Sequence, residues 1–456
     1  MTMRRLFTRR EALRASALAA LSLGAAACAG ASPEAATPAE TAAPAAAGDQ
    51  MVTIRWQDWP DFSADIDSTV SMAEEANPGI TVEFEPLGDN WVEKTLAAMV
   101  AGTAPDVFTA WEPEFSKFYG RGQILDLQPL VDRDLSEEDI ADFHKWQWDG
   151  MLSYDKSIRF GMPYYVNLVF LYYSKAAFDE AGESYPTRDL DMDSYAMMLN
   201  RLVKKDEDRI TRWGGEIPLT YNWLTIHVHA YGGYVVNPQD WTECWLGNDE
   251  ALAAMEWIRA RIWEDNSLAQ TAQLQGVSEV QGGVQGPWAA GMIASKEDGM
   301  GNLSYFASES RFDWDIMHLP KGPARRATLG TTDGWGIYKG TPHPEEAWRF
   351  LNWLAGPQFQ TVMMESWAGI PNRGSLITKW QEIARASYPS LENVTLDVVT
   401  EALDEGYPML SDQFKKHAES QTLIDAAFEK ILQVGDTRVD YLKEIADQVT
   451  ALNRED

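Results

Sequence analysis

Val52-Thr-Ile-Arg-Trp56 opens the stretch of sequence that decides the fold, and its alternation of apolar and polar residues predicts a half-buried β-strand. Residues 65–76 follow with apolar side chains at helical spacing, and Asn77-Pro78-Gly79 is a strong signal for the end of that helix. Residues 81–86 alternate again as a strand does. The folded part of the chain is therefore predicted to begin with a strand, a helix and a second strand.

The same succession of elements continues to Trp111. Asn90 is predicted to cap a second helix, with Glu93 three residues on as in a capping box, and Gly102 is predicted to end that helix. Residues 105–111 are predicted to enter a third strand. This β-α-β-α-β order predicts a parallel sheet with right-handed crossovers, and hence an α/β fold.

Polar and aromatic residues follow the first and third predicted strands. Asp58 and Trp59 come after the first strand, and Trp111 and Glu112 come after the third. Because ligands bind beyond the carboxyl ends of parallel strands, these residues are candidates for a binding cleft. An aromatic face buries the apolar face of a pyranose, and a carboxylate accepts hydrogen bonds from its hydroxyls. The alternative is that the Trp side chains pack in a core and the carboxylates are merely solvated.

Composition narrows the possible functions. The chain has 456 residues, 45% of them hydrophobic, which allows two or three domains with sizeable cores. The formal net charge of −31 argues against a nucleic-acid partner, because phosphate recognition needs an excess of Lys and Arg. Cys28 and Cys244 are too few for a disulfide framework or a Cys-rich zinc site. His227 and His229 are predicted to face different sides of a helix, so we expect no metal site.

The N-terminus predicts export. Residues 1–28 contain a basic segment, an apolar stretch too short to span a membrane, and a small-residue site that ends at Cys28. Arg9-Arg10 resembles the twin-arginine export motif, and residues 25–28 resemble the lipobox of bacterial lipoproteins. Residues 29–50 are rich in Ala, Pro and Thr and are predicted to form a tether. We therefore expect Cys28 to be lipidated and to hold the protein at the outer face of the cytoplasmic membrane, at the cell surface or in a periplasm. Ordinary cleavage beside an incidental Cys is the alternative.

Seven further segments resemble those of a known protein family in their order and spacing. They resemble the extracellular solute-binding proteins of family 1, the group of the maltose-binding protein. The segments are Ala101–Val107, Phe160–Pro163, Leu171–Gly182, Asp315–Gly322, Gly334–Lys339, Pro344–Leu351 and Gly369–Arg373.

The resemblance implies a two-lobed periplasmic-binding-protein fold of type II-like topology. Lobe 1 is expected to comprise residues 51–164 and 326–371, and lobe 2 residues 165–325 and 372–456. A hinge joins the lobes, and closure around a ligand in the cleft between them is the expected motion. An unrelated α/β enzyme is the alternative fold.

The resemblance also implies ligand contacts at the lobe crossings and in loops of both lobes. The residues at the matching positions are Tyr165, Asn167, Asn222, Trp223, Asp298, Asp333, Trp335, Trp367 and Arg373.

The function implied is that of a monomeric, exported component of an ABC importer, which captures a mono- or oligosaccharide and delivers it to a membrane permease. No nucleophile-and-base motif, nucleotide loop or metal signature is found, so neither an enzyme nor a cofactor is expected. Three alternatives stay open. Aromatic walls with acidic groups also suit a polyamine or quaternary amine, and glycerol phosphate is a further candidate ligand. A glycoside hydrolase also pairs carboxylates in an aromatic groove. A surface adhesin would bind no small molecule.

Overall fold

The computed structural model describes residues 51–60, 66–280, 285–331, 333–410 and 412–455. The predicted export signal, the lipidation site Cys28 and the tether at 29–50 lie outside these residues. None of the described helices is both long and apolar enough to span a bilayer.

Strands and helices alternate along most of the described chain. The strands are β1 Val52–Asp58, β2 Ile80–Pro86, β3 Val107–Ala110, β4 Met162–Pro163, β5 Tyr165–Ser174, β6 Lys204–Asp206, β7 Arg209–Glu216, β8 Val236–Asn237, β9 Asp240–Cys244, β10 Ile293–Gly299, β11 Trp314–Met317, β12 Thr328–Thr331, β13 Gly334–Ile337, β14 Ile370–Pro371 and β15 Pro408–Met409.

The helices are α1 Ile66–Ala76, α2 Trp91–Ala101, α3 Glu112–Gly120, α4 Gln128–Asp134, α5 Glu137–Ala141, α6 Lys145–Gly150, α7 Lys175–Ala181, α8 Met192–Leu202, α9 Tyr221–Ala230, α10 Asp249–Trp263, α11 Thr271–Val280, α12 Gly286–Ala289, α13 Leu303–Glu309, α14 Pro344–Leu354, α15 Pro357–Trp367, α16 Ile377–Ser387, α17 Asp397–Asp404, α18 His417–Phe428 and α19 Leu442–Arg454.

The first lobe is built on a sheet whose described strands run in the order β2-β1-β3-β13-β4. Strand β1 pairs in parallel with both β2 and β3, which confirms the β-α-β-α-β prediction. Strand β13 comes from much later in the chain and pairs antiparallel to β3, with Trp335 opposite Thr109. The core of this lobe includes Trp56, Trp335 and Trp348, all of which are buried.

The ends of helix α2 test the capping prediction. Gly102 ends the helix with a left-handed backbone (φ 76°), as predicted, and this conformation costs glycine little. Asn90 does precede the helix, but its backbone is left-handed (φ 55°) and its side chain makes no capping hydrogen bond. The predicted capping box is therefore wrong. An N-cap side chain reaches the first turn from an extended backbone, and Asn90 does not have one.

The second lobe is built on a larger sheet, in the order β15-β12-β5-β10-β7-β6, with β11 and β14 also paired to β5. Strand β5 is buried along nearly its whole length and forms the middle of this sheet. Its neighbour in sequence, β4, belongs to the first sheet, so the chain crosses between the lobes at Tyr164. Both sheets lie in one unit of the chain, residues 50–456.

The return to the first lobe comes later than the sequence suggests. Residue 326 was the expected start of the returning segment, yet β12 still pairs with β5 and β15 in the second sheet. The first sheet resumes only at Gly334, the first residue of β13. The crossing therefore lies between Thr331 and Gly334, and the other lobe boundaries stay predictions.

Candidate functional site

Five side chains meet where the chain passes between the lobes. Asp58 ends β1, Tyr164 and Tyr165 lie at the outgoing crossing, and Asp333 and Trp335 lie at the returning one. We call these five residues the hinge cluster. The backbone N–H of Tyr164 donates to the carbonyl of Asp333 at 2.9 Å, so the two crossings are hydrogen-bonded to each other.

Asp58 and Trp335 form the buried centre of this cluster. The indole N–H of Trp335 donates to Asp58 Oδ2 at 2.7 Å, and the ring of Trp335 stacks on Tyr164 with a centroid separation of 3.9 Å. Asp58 is 1% exposed and Trp335 is 0% exposed. Burial raises the pKa of Asp58 to about 7, against the lowering effect of the hydrogen bond from Trp335. Both residues contact protein groups here, so their role as ligand contacts stays a prediction.

Tyr165 and Asp333 occupy the edge of the cluster. The Tyr165 hydroxyl donates to Asp333 Oδ1 at 3.4 Å, and the hydroxyl of Thr331 donates to the other carboxylate oxygen. Trp367, another predicted contact, is buried and meets the Tyr165 ring edge-on at 5.0 Å between centroids. Asp333 is half-buried. The structure therefore places three of the predicted contacts, Tyr165, Asp333 and Trp367, next to one another, and their ligand role stays a prediction.

Asn167 joins the crossing to the end of β10. Its Oδ1 accepts a hydrogen bond from the backbone N–H of Gly301 at 3.1 Å. Asp298, two residues before Met300 in the same turn, is buried and accepts from Gly299 N at 2.7 Å and from Asn302 Nδ2 at 2.9 Å. Asp298 thus holds the loop that faces Asn167, and its contacts in the structure are with the protein.

Lys296 and Gln285 complete the surroundings of the Asp298 carboxylate. Lys296 Nζ lies 3.4 Å from Asp298 and 3.0 Å from Glu216, and Gln285 Nε2 donates to Asp298 at 3.0 Å. Lys296 and Asp298 are both buried. The Asp298 carboxylate is therefore paired with a cation and a hydrogen-bond donor from within the second lobe.

The other predicted contacts are more dispersed. Trp59 is half-buried and meets Trp91 edge-on at 5.7 Å, and Trp111 is half-buried just before helix α3. Glu112 is the first residue of that helix, and its side chain lies outside the described part of the structure. Asn222 and Trp223 lie in the first turn of α9, the former buried and the latter packed on the second-lobe core.

The side chain of Arg373 makes its contacts with residues of the first lobe. Its Nε donates to the carbonyl of Ala355 at 3.0 Å, and its guanidinium lies over the ring of Phe143 and 3.5 Å from Asp142. The side chain is buried. The structure therefore separates Arg373 from the hinge cluster in its contacts and gives it a packing and hydrogen-bonding role.

A groove lies between the lobes beyond the hinge cluster. It consists of a cavity of about 630 Å³ and a smaller one of about 190 Å³, which share Tyr154, Leu410 and Gln413 in their walls. Trp146 of α6 and Tyr154, in the loop after it, come from the first lobe. Trp241 of β9 comes from the second lobe, as do Leu410, Asp412 and Gln413. We call this space the inter-lobe groove.

Aromatic rings of both lobes meet in the inter-lobe groove. Tyr154 stacks on Trp241 with a centroid separation of 3.7 Å and an interplanar angle of 23°. Tyr154 is 39% exposed, so this contact lies at the mouth of the groove. Stacked aromatic side chains of this kind offer apolar faces with polar edges.

Asp412 shapes the second-lobe wall of the groove. It accepts hydrogen bonds from the backbone N–H groups of Val235 and Val236, and His229 Nε2 lies 3.2 Å from its other oxygen. His227, on the same helix, instead lies 2.9 Å from buried Glu297. The two histidines thus have separate carboxylate partners, on different faces of α9 as predicted.

Sequence reasoning missed the groove residues Trp146, Tyr154, Trp241 and Gln413. A weak signal existed for the segment of Gln413, since Gly406 and Pro408 mark a turn after a helix, where binding loops often occur. No sequence pattern distinguishes Trp146 and Trp241, as binding residues, from the many other Trp residues of the chain.

Comparison with known proteins identifies the family. Residues 29–361 match the model of the family described as bacterial extracellular solute-binding protein. The chain belongs to this family.

Relatives of this solute-binding protein are distant in sequence. A putative binding protein of Brucella abortus (strain 2308) is 25% identical over 299 residues, which is 62% of this chain and 66% of that protein. The chain thus matches just under two thirds of the length of that relative.

Solved structures resemble this solute-binding protein more completely. An ABC substrate-binding protein of Listeria monocytogenes in complex with cycloalternan has a TM-score of 0.76 at 21% identity, covering 88% of this chain and 99% of that one. UgpB of Mycobacterium tuberculosis in complex with glycerophosphocholine has a TM-score of 0.73 at 17% identity, with 88% and 98% covered. The sugar-binding protein MalE of Xanthomonas citri has a TM-score of 0.68 at 18% identity, with 88% and 97% covered. At these identities the likeness shows the two-lobed fold.

Proposed function

We propose that this solute-binding protein captures a mono- or oligosaccharide in the inter-lobe groove and delivers it to the permease of an ABC importer. The observation that carries the proposal is the groove itself, in which Tyr154 stacks on Trp241 of the second lobe and Trp146 lines the same cavity. Aromatic walls with polar edges suit a pyranose, whose two faces are apolar and whose rim carries hydroxyls. Structural neighbours solved in complex with cycloalternan and with mannotriose support the same ligand class.

The residues predicted from sequence have two roles in this proposal. The hinge cluster sets the position of one lobe against the other, since its members bond across the two crossings. Trp59, Trp111, Asn167, Asn222 and Trp223 stay candidates for direct contact with the ligand, together with the carboxylate of Glu112. Binding without turnover is proposed, because capture and release need no chemical step.

A calorimetric titration with a panel of saccharides tests the proposal. Mannotriose, cycloalternan and tagatose serve as saccharide probes, with spermidine and glycerophosphocholine as charged comparisons. We expect a saccharide to bind and to lose little affinity up to about 0.5 M salt, because no net charge is screened. Binding of spermidine alone, with affinity falling steeply over that range, would overturn the carbohydrate assignment.

A charged solute is the second candidate, and two observations favour it. The net charge is −31, which draws cations toward the protein, and a neighbour with a TM-score of 0.73 holds glycerophosphocholine. The variants Trp111→Ala and Glu112→Gln separate the candidates. For a sugar, loss of the Trp face should cost more affinity than loss of the carboxylate charge, and for a cation the order should reverse.

The membrane anchor is proposed from the sequence alone. Acylation of Cys28, followed by the tether at 29–50, would keep a monomeric binding protein close to its permease. One acyl chain binds a membrane only marginally, so a multiply acylated Cys is implied. Cys28→Ser should release the exported protein into the soluble fraction, as measured by fractionation, whereas a variant that stays in the membrane fraction would contradict the anchor.

A further inference from the structure

The side chain of Gln413 stands out in the inter-lobe groove. It lines both cavities, at the point where they join. Neither its Oε1 nor its Nε2 touches solvent, and neither has a hydrogen-bond partner among the described residues. Buried amides are nearly always hydrogen-bonded, so an amide left in this state destabilises the arrangement that buries it.

Trp146 adds a second unpaired group to the same groove. Its indole N–H is also inaccessible to solvent and has no acceptor within the described part of the chain. Trp146 lines the larger cavity together with Gln413. Among the described residues, the groove therefore presents an amide N–H and an indole N–H as unpaired donors and the amide oxygen as an unpaired acceptor. His229, in the same wall, adds a ring nitrogen, Nδ1, that also has no partner and that donates or accepts according to its tautomer.

This set of groups discriminates between classes of ligand. An ammonium group only donates hydrogen bonds, so it would satisfy Gln413 Oε1 and leave both donors unpaired. A phosphate oxygen only accepts, so it would satisfy the donors and leave the amide oxygen unpaired. A hydroxyl donates and accepts, and neighbouring hydroxyls on one molecule satisfy both sides of a carboxamide together.

We infer that Gln413 is a specificity-determining residue whose carboxamide hydrogen-bonds to a pair of neighbouring hydroxyls on an uncharged ligand. The indole N–H of Trp146 donates to a third polar atom of the same ligand. The inference rests on the proposed function and narrows it to polyhydroxylated ligands. It also links binding to closure. A ligand that supplies the missing bonds stabilises the arrangement in which the lobes bury the amide, and it has no such effect when they are apart.

The test combines calorimetry with thermal unfolding of the purified protein. The variants are Gln413→Leu, which removes both functions of the amide, Gln413→Glu, which replaces the donor with a charged acceptor, and Trp146→Phe, which keeps a ring and removes the N–H. The matched control is Gln358→Leu, at an exposed position on α15 outside the groove. The probes are mannotriose, cycloalternan, spermidine and glycerophosphocholine.

We expect Gln413→Leu and Gln413→Glu each to weaken saccharide binding at least tenfold, Trp146→Phe to weaken it about threefold, and Gln358→Leu to leave it unchanged. Without ligand, Gln413→Leu should raise the Tm by roughly 1–3 °C, because it removes an unpaired buried polar group. A residue with only a structural role would instead lower the Tm.

The measurements distinguish failure of the role of Gln413 from failure of the proposed function. If a saccharide binds and Gln413→Leu changes its Kd less than twofold, the role of Gln413 is wrong while the proposed function stands. If Gln413→Leu lowers the Tm of the ligand-free protein by several degrees, the amide is paired in solution and the inference is wrong whatever binds. If no saccharide binds, the proposed function fails and the inference fails with it; stronger spermidine binding by Gln413→Glu would then identify a cation site.

Discussion

The hinge cluster and the inter-lobe groove are both rich in aromatic and polar side chains, but they differ in whether their polar groups have hydrogen-bond partners. In the hinge cluster, the indole N–H of Trp335 bonds to Asp58, and the hydroxyl of Tyr165 bonds to Asp333. In the groove, the amide of Gln413 and the indole N–H of Trp146 have no partner among the described residues. Similar residue types therefore serve two purposes. In the proposed function, the paired groups would fix the position of the lobes, and the unpaired groups would gain their partners only when a ligand enters the groove.

The largest expected effect lies in the hinge cluster. Trp335→Ala should lower the free energy of unfolding by about 3–5 kcal/mol, because it opens a cavity at a fully buried site and removes the donor to Asp58. Trp335→Phe, which keeps a ring, should cost less. Chemical denaturation measures both. A loss below about 1 kcal/mol for the Ala variant would mean that this region is not tightly packed in solution.

The next largest effect is on the pH dependence of stability, through the charge of Asp58. Burial raises its pKa from 3.8 to about 7, so the folded protein keeps a proton that the unfolded chain releases over that range. The stability that this proton contributes is fully present below pH 3.8 and is lost as the pH rises through 7. Asp58→Asn carries no charge at any pH and keeps an acceptor for Trp335. Its stability relative to that of the wild type should therefore rise by roughly 4 kcal/mol between pH 4 and pH 8, since the pKa differs by about three units between the two states of the chain. Parallel stability curves for the two proteins across this range would contradict the raised pKa.

The groove should respond in affinity and not in stability. Trp241→Ala removes a half-buried ring that stacks on Tyr154, and we expect saccharide affinity to fall about 10- to 30-fold, or ~1.4–2 kcal/mol. The change in unfolding free energy should stay below about 1 kcal/mol. Trp263→Ala, at an exposed Trp of the same lobe, is the control. If both variants bind equally well, the ligand lies elsewhere.

The smallest effect is expected at Cys244. This thiol is buried at the end of β9, and burial raises its pKa to about 12. Thiolate is the reactive form, so labelling by a maleimide at pH 7 should be slow in the folded protein and fast after denaturation. Cys244→Ala should leave ligand affinity unchanged. Rapid labelling of the native protein, or loss of binding in the variant, would show that this residue is exposed or functional.

Much of the fold could be predicted from the sequence because its first part is locally regular. Strict alternation at Val52–Trp56 and helical spacing at residues 65–76 specify element types without tertiary information. The position at which the chain returns to the first lobe was harder to predict. The strand Thr328–Thr331 fits either sheet by its pattern, and only its hydrogen bonds to Asn167 and Leu168 place it in the second.

The site was predicted in part. Asp58 and Trp335 lie at one edge of the sheet because β1 and β3 run parallel and β13 pairs beside β3, but no pattern in the sequence tells that Trp335 is fully buried. Gln413 itself has no periodic or motif signal, and the turn marked by Gly406 and Pro408 indicates only the segment in which it lies. Its importance depends on the lack of a hydrogen-bond partner, which is a property of three-dimensional packing and not of residue type.

The hydrogen bond between the two crossings has a further consequence. Tyr164 alone separates β4 from β5, and its N–H donates to the carbonyl of Asp333, which lies just before β13. Strand β14 pairs with the first residues of β5. We therefore expect the connected segments to move together, so that the lobes rotate about one axis when the cleft closes. If closure is one such rotation, a stopped-flow trace recorded at saturating ligand should fit a single exponential, and a second phase would show that the crossings move independently.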